Sequence, residues 1–268
     1  MGATTTLLGR QVDPAGRAQI ARASTLWIVD RLPREFFNRP STQVAPELLG
    51  CVLWHDSPAG LVAVRLVEVE AYQGLADPAS HAYRGQTARN AVMFGPPGHA
   101  YVYFTYGMHF CVNLVCQPAG QPQAVLIRAG EVIHGAELAR QRRRGRAADL
   151  ASDLALAGAD GSRKVREVDL ARGPGRLCQA LGIDRALDGA DVCGPDSPMG
   201  IGPAPGATTA HEEICAGPRV GISQATDRPW RYWLADDGHV SVFRPSKPRG
   251  TRPKPVSGSA AKDGTMHR

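Results

Sequence analysis

The segment that most restricts the fold is YVYFTYGMHFCVNLV, Tyr101–Val115. Apolar residues alternate on both sides of T-Y-G-M-H, with Tyr101 and Tyr103 on one face and Val102 and Phe104 on the other. That pattern predicts a β-hairpin with a glycine in its turn. Hairpin tips usually carry Asn, Asp, Ser or Gly because they sit in water; this one carries Tyr106 and Met108. Packing against a core accounts for Phe104, Phe110, Val112 and Leu114, but not for Tyr106. A ring held out at a tip is explained if it enters something apolar: a partner's pocket, a membrane or a stack of bases. Proteins that work in the DNA minor groove insert such wedges between base steps. Enzymes that act on a base first extrude it from the stack, and a wedge fills the gap it leaves.

The flanking sequence supplies partners for the hairpin. LVAVRLVEVEAY (Leu61–Tyr72) and QAVLIRAGEV (Gln123–Val132) read as strands, another strand is predicted after Gly50, and PRVGISQATDRPWRYWLADDGHVSVF reads as three short strands. Ser41 and Thr42 are placed to cap a short helix that runs through Leu49 and ends at Gly50. HGAELARQRRRGR begins as a helix, and GPGRLCQALGID reads as a loop opening a short helix near Arg176. Strands and helices do not alternate regularly. The expected class is therefore α+β: a single domain with a curved, mostly antiparallel β-sheet, flanking helices and a protruding β-hairpin. Residues 31–243 form that domain, with 149–168 read as an insertion or flexible loop. Residues 1–30 read as a poorly ordered extension, and 244–268, rich in Pro, Ser and cations, as a disordered basic tail.

Composition narrows the partners. The chain has 268 residues and is 43% hydrophobic, enough for a real core. No run of about 18 apolar residues predicts a membrane span, and no basic-then-apolar N-terminus predicts a signal peptide. The expected setting is the cytoplasm, with no membrane partner. Six cysteines without a CxxC pair read as reduced thiols, neither a zinc site nor a disulfide framework. A formal charge of +6 fits nucleic-acid binding without establishing it.

Four features carry candidate chemistry. In VEVEAY, Glu68 and Glu70 share a face of their strand because side chains alternate with period two. They are either two solvated carboxylates or, in a half-apolar groove, a general base and its neighbour, and spacing alone does not choose. The long loop DPASHAYRGQTARN offers His81, Arg84 and Arg89; loops of this length in compact domains are usually functional. His81 reads as a core histidine, a metal ligand or a ligand contact, and the lack of a second His or Cys at ligand spacing argues against metal. Arg128, at the end of an apolar run, is expected to be half-buried against a carboxylate, with Glu70 a candidate. RQRRRGR, Arg140–Arg146, is either a solvated helix end or a phosphate contact.

The run from VEVEAYQG through DPASHAYRGQTARNAVMFGPPGHAYVYFTYGMHFCVNLVC to AVLIRAGEV closely resembles the alkyladenine (3-methyladenine) DNA glycosylase family, mammalian in type and also found in bacteria. LPREFFNRPSTQVAPELLG, GPGRLCQALGI, PRVGI and RPWRYW match further family motifs in order, so the likeness covers about residues 31–243. It implies a monofunctional base-excision repair hydrolase that flips alkylated or deaminated purines out of double-stranded DNA and leaves an abasic site. Tyr106 matches the intercalating hairpin residue, with Met108 beside it. Glu70 matches the base that activates water, Arg128 a residue that helps hold the water, and Val220 one whose backbone does so. Tyr72, His81 and Tyr103 match the walls that sandwich the extruded base. Asn113 matches the side chain that crowds the guanine amino group, and Arg89 and Tyr101 lie in matched motifs as supports or DNA-backbone contacts. The resemblance implies no cofactor, no metal and no Schiff-base lysine; all four lysines lie outside the motif core. A monomer associated with the bacterial nucleoid is expected.

Two other readings are weighed against it. A glycoside or nucleoside hydrolase using Glu68 and Glu70 as acid and base is disfavoured, because such carboxylates flank the bond they cleave. A DNA-damage-binding protein without chemistry is disfavoured by the intact Glu70, Arg128 and pocket aromatics.

Overall fold

Three long runs of Val, Leu and Ile lie side by side because each buries one face only when its neighbours cover it. The computed structural model describes residues 30–105, 107–153, 165–205 and 213–243, the side chains of 146–153 excepted. In chain order the strands are β1 (Val52–Ser57), β2 (Gly60–Tyr72), β3 (Ala100–Thr105), β4 (His109–Cys116), β5 (Gln123–His134), β6 (Met199–Gly202), β7 (Ile214–Gly217) and β8 (Arg231–Leu234). They form one sheet in the order β3-β4-β5-β2-β1-β6, with β8 also pairing β2 and β7 pairing β8. All these pairings are antiparallel. The helices are α1 (Arg34–Phe37), α2 (Ser41–Glu47), α3 (Ala136–Asp153) and α4 (Pro174–Leu181). The fold is a single α+β domain with a curled sheet, the class expected from sequence.

The two faces of the sheet do different work. Val102, Val112, Leu114, Val125, Ile127, Val69 and Ala71 join residues of α2 and α4 in the main core. The opposite face carries Tyr101, Tyr103, Cys111, Val115, Ala124 and Leu126, packed with Ala82 and Met93 from the long segment between β2 and β3. Val62, Val64 and Leu66 also belong to the main core. Strict alternation from them would send Glu68, Glu70 and Tyr72 into that core as well. The β2–β5 register shifts between Leu66 and Glu68 and again between Glu68 and Val69. Residue parity on β2 therefore flips, and the two glutamates turn to the second face.

Several elements differ from expectation. Ser41 is the first helical residue of α2, not its cap; Pro40 precedes it, and the Ser41 hydroxyl donates to the Tyr72 carbonyl at 3.1 Å. α4 begins two residues before Arg176. Gly173 there has φ 120°, a region that favours glycine, and Pro174 opens the helix with its fixed φ. A Cβ on Gly175 would lie 2.8 Å from the His109 ring, so the third residue of the G-P-G motif lets α4 lie against β4. The segment 218–243 contains one strand, β8, rather than three; β7 lies before it. α3 extends through Asp153, so the start of segment 149–168 is helical, whereas 154–164 lie outside the described residues. Residues 1–29 of the expected extension 1–30, and the tail 244–268, also lie outside them.

Candidate active site

Across the second face, register places Tyr101, Asn113, Leu126 and Glu70 in one row over β3, β4, β5 and β2. The segment Gln73–His99 folds over this row and leaves a cleft of about 320 Å³, the size range of small-molecule sites. Its lining includes Tyr72, His81, Met93, Tyr103, Cys111, Asn113, Leu126, Arg128, Pro174 and Val220. Of the residues that the resemblance implies for one site, Tyr72, His81, Tyr103, Asn113, Arg128 and Val220 line this cleft, whereas Glu70 is fully buried beneath it and is not part of its lining.

Beneath the cleft lies a buried ionic cluster. Glu68 and Glu70 are both fully buried. Arg128 donates from Nε to Glu68 Oε1 at 2.9 Å and lies 3.1 Å, through Nη1, from Glu70 Oε1. Glu70 Oε1 also accepts the Val220 amide at 2.7 Å, and its Oε2 accepts the Tyr72 hydroxyl at 2.8 Å. Glu68 Oε1 takes Arg231 Nε at 2.7 Å and the Ser241 hydroxyl at 3.0 Å, and its Oε2 takes the Ser241 amide at 2.8 Å. Burial pushes against ionising Glu68, but Arg128, Ser241 and Arg231 outweigh it and hold the carboxyl below its ordinary range. Burial likewise opposes the Arg128 charge, yet the two glutamates keep it firmly protonated. Glu68 is thus a carboxylate between two arginines, which removes it as the free acid of an acid–base pair.

Apart from Arg128, the titratable groups that line the cleft stay uncharged near neutral pH. Burial raises the Tyr72 and Tyr103 hydroxyls well above their ordinary value, and Glu70 adds to the effect on both. Burial pushes the Cys111 thiol up to about 11, so it is no nucleophile near neutrality. His81 is depressed by burial and then by Arg89. Its ring sits 4.6 Å from that of Tyr103, and its Nδ1 is 3.1 Å from the Tyr101 hydroxyl. Asn113 is buried, and its Oδ1 has no hydrogen-bond partner among the described residues. Neutral aromatic walls above a compensated ionic floor can hold a flat heterocycle and present it to a carboxylate.

The remaining predicted residues fall elsewhere. Tyr101 is wholly buried and stacked on Tyr103 at 5.1 Å, so it supports the wall and does not itself reach DNA from this position. Arg89 is exposed and donates to the Phe104 carbonyl on the hairpin. Met108 is exposed at the hairpin turn, and Tyr106 lies outside the described residues. The arginine run is partly structural: Arg142 donates to the Ala180 carbonyl and the Ser57 hydroxyl, and Arg140 pairs with Glu137. Sequence reasoning missed Arg231, Ser241, Asp77 and Arg219, whose partners lie 142 to 173 positions away and leave no local signature. Among the described residues no three His, Cys, Asp or Glu side chains are grouped to hold a metal, and no helix is long and apolar enough to cross a membrane.

Comparison with known proteins gives a family. The profile of the methylpurine-DNA glycosylase (MPG) family matches residues 35–238. A protein of Streptomyces avermitilis, provisionally named 3-methyladenine DNA glycosylase, is 50% identical over 227 residues, covering 83% of this chain and 97% of the relative. Proteins with the same provisional name from Frankia casuarinae and Leifsonia xyli are each 47% identical, over 80% and 79% of this chain and 93% and 92% of the relatives.

Proposed function

The chain belongs to the methylpurine-DNA glycosylase family, and from that membership we propose how it releases a damaged base. The substrate is 3-methyladenine, or another alkylated or deaminated purine, flipped from duplex DNA into the cleft. Tyr72, His81 and Tyr103 stack on it, and Asn113 crowds the exocyclic amino group of guanine. Tyr106 fills the gap in the stack, while Met108 and Arg89 border the DNA on the hairpin side. A water on Glu70 gives up its proton, its oxygen bonds to C1′ of the deoxyribose, and the electrons of the broken N-glycosidic bond leave with the base. The product is an abasic site. The protein acts as a monomer at the nucleoid, where its duplex substrate lies.

The observation that carries this reading is the donor set on Glu70. A carboxylate has about four acceptor positions. Arg128, the Val220 amide and the Tyr72 hydroxyl take three of them, all from residues that line the cleft. One acceptor position on Oε2 is left for a water facing the sugar. Arg128 also holds the carboxylate in place, and the carboxylate offsets the positive charge that develops on the sugar.

The test is single-turnover release of hypoxanthine and of a methylated purine from duplex DNA, by the wild type and by Glu70→Gln. The wild type is expected to release both, and Glu70→Gln to be slower by at least about 100-fold, the usual share of a general base. Release that survives the substitution would move the base to another residue. Tight duplex binding without release by the wild type would leave a binding protein instead.

A further inference from the structure

Resting on the base-release reading above, we propose that the buried pair Asp77–Arg219 is a positioning device, which holds the stacking wall and the backbone donor on Glu70 as one rigid unit. Neither residue lines the cleft, and both side chains are fully buried behind it. The pairing is bidentate: Arg219 Nη1 meets Asp77 Oδ2 at 2.5 Å and Nη2 meets Oδ1 at 2.9 Å. Nη1 also donates to the Ala71 carbonyl at 3.0 Å, between Glu70 and Tyr72. The guanidinium lies 4.6 Å from the centre of the Tyr72 ring and 5.1 Å from that of Trp230, so it backs the stacking wall directly. Val220, the next residue along the chain, donates its amide to Glu70. Asp77 in turn accepts the amides of Gln73 and Ala79, closing the turn that leads to His81.

One guanidinium therefore ties together three parts of the site that are far apart in sequence. These are the end of β2 with Tyr72, the turn before His81, and the segment that carries the Val220 amide. A buried ion pair is often no more stabilising than apolar residues of the same volume. An apolar pair could fill this space, but it could not fix a carbonyl and a carboxylate in one plane behind an aromatic ring. Small misplacements of reacting groups are costly: an error of about 1 Å lowers rates by about 100-fold.

The experiment uses Arg219→Lys and Asp77→Asn in the full chain, assayed below the melting temperature of each variant. Lysine keeps the charge but loses the fork and the stacking plane. Asparagine keeps an oxygen for the Ala79 amide but loses the ionic partner. The readouts are the single-turnover release rate at saturating protein and the protein concentration that half-saturates it on the same duplex. The rate is expected to fall about 10- to 100-fold, with the half-saturating concentration unchanged, because the hairpin and outer surface are untouched. A pair that only stabilises the fold would lower the melting temperature and leave the rate of the folded protein as it was. Full-rate release by folded Arg219→Lys would overturn the proposal, as would a change confined to half-saturation; should Asp77→Asn not fold, Arg219→Lys decides alone. Failure of the wild type to release any purine would instead sink the base-release reading.

Discussion

Glu68→Gln is the substitution whose consequence the structure fixes most tightly. The carboxylate receives four donors: Arg128 Nε, Arg231 Nε, the Ser241 hydroxyl and the Ser241 amide. Glutamine has the same size, so no cavity forms, but only one of its two terminal atoms accepts. If the amide oxygen takes the Oε1 position, its NH2 faces the Ser241 amide, donor against donor. The reverse orientation sets NH2 against both arginines. In either case Arg128 and Arg231 lose the charge they share, and only Glu70 remains to balance two buried guanidiniums. Breaking a buried pair in this way costs about 3–5 kcal/mol. At roughly 2–4 °C per kcal/mol for a domain of this size, the unfolding midpoint should fall by about 6–20 °C. Thermal unfolding by circular dichroism at neutral pH measures it, and a fall under about 2 °C would refute the reasoning. The pH dependence has a definite sign as well. The folded state holds Glu68 below its ordinary value of 4.5. Its contribution is therefore complete above that value and is lost as pH falls through the folded-state value. The gap between wild type and Glu68→Gln should narrow only as the pH drops below about 4.5.

Two further outcomes follow from the same contacts. Tyr72→Phe keeps the stacking ring and removes the hydroxyl that holds Glu70 Oε2; a hydrogen bond to a charged acceptor is worth about 1.5–3 kcal/mol. Single-turnover release should slow about tenfold with duplex binding unaltered, and an unchanged rate would show that the hydroxyl does not orient the carboxylate. The arginines of α3 should behave unequally. Arg142→Met strips partners from the Ala180 carbonyl and the Ser57 hydroxyl and should lower stability by about 1–3 kcal/mol in urea unfolding. Arg140→Ala removes a surface pair with Glu137 and should leave the midpoint where it is.

The sequence reveals the site better than the scaffold that holds it. The pairing of β3 with β4, the strands β2 and β5, and the cleft residues Tyr72, Tyr103 and Asn113 are legible because alternation and motif are local. The face that Glu68 and Glu70 present is not. The paired register shifts between β2 and β5 reverse the parity set by Val62, Val64 and Leu66, and no spacing in the strand announces them. The same limit explains the three strands expected in 218–243. Val220 and Gly221 alternate plausibly with their neighbours, yet the Val220 amide bonds a glutamate side chain instead of a strand. Aromatic and Arg residues in RPWRYW gave no hint that Arg231 reaches Glu68 while the ring of Trp230 packs on Arg219.

Two glutamates on one strand, two residues apart and equally buried, are held by different sets of donors. Glu68 takes four donors, three on Oε1 and one on Oε2, and two of the donors are cations. Its depressed proton affinity makes it a poor base. Glu70 has three donors, of which only Arg128 is a cation. It lies beneath a cleft whose walls Tyr72, Tyr103, Cys111 and His81 are kept neutral by burial, with Arg128 the charged exception. Arg128 joins the two carboxylates, so fixing Glu68 with Arg231 and Ser241 also fixes the guanidinium that faces Glu70. Glu68 thereby anchors Glu70, the base we propose, and the tandem register shift is what sets both glutamates on the face of the sheet opposite the main core.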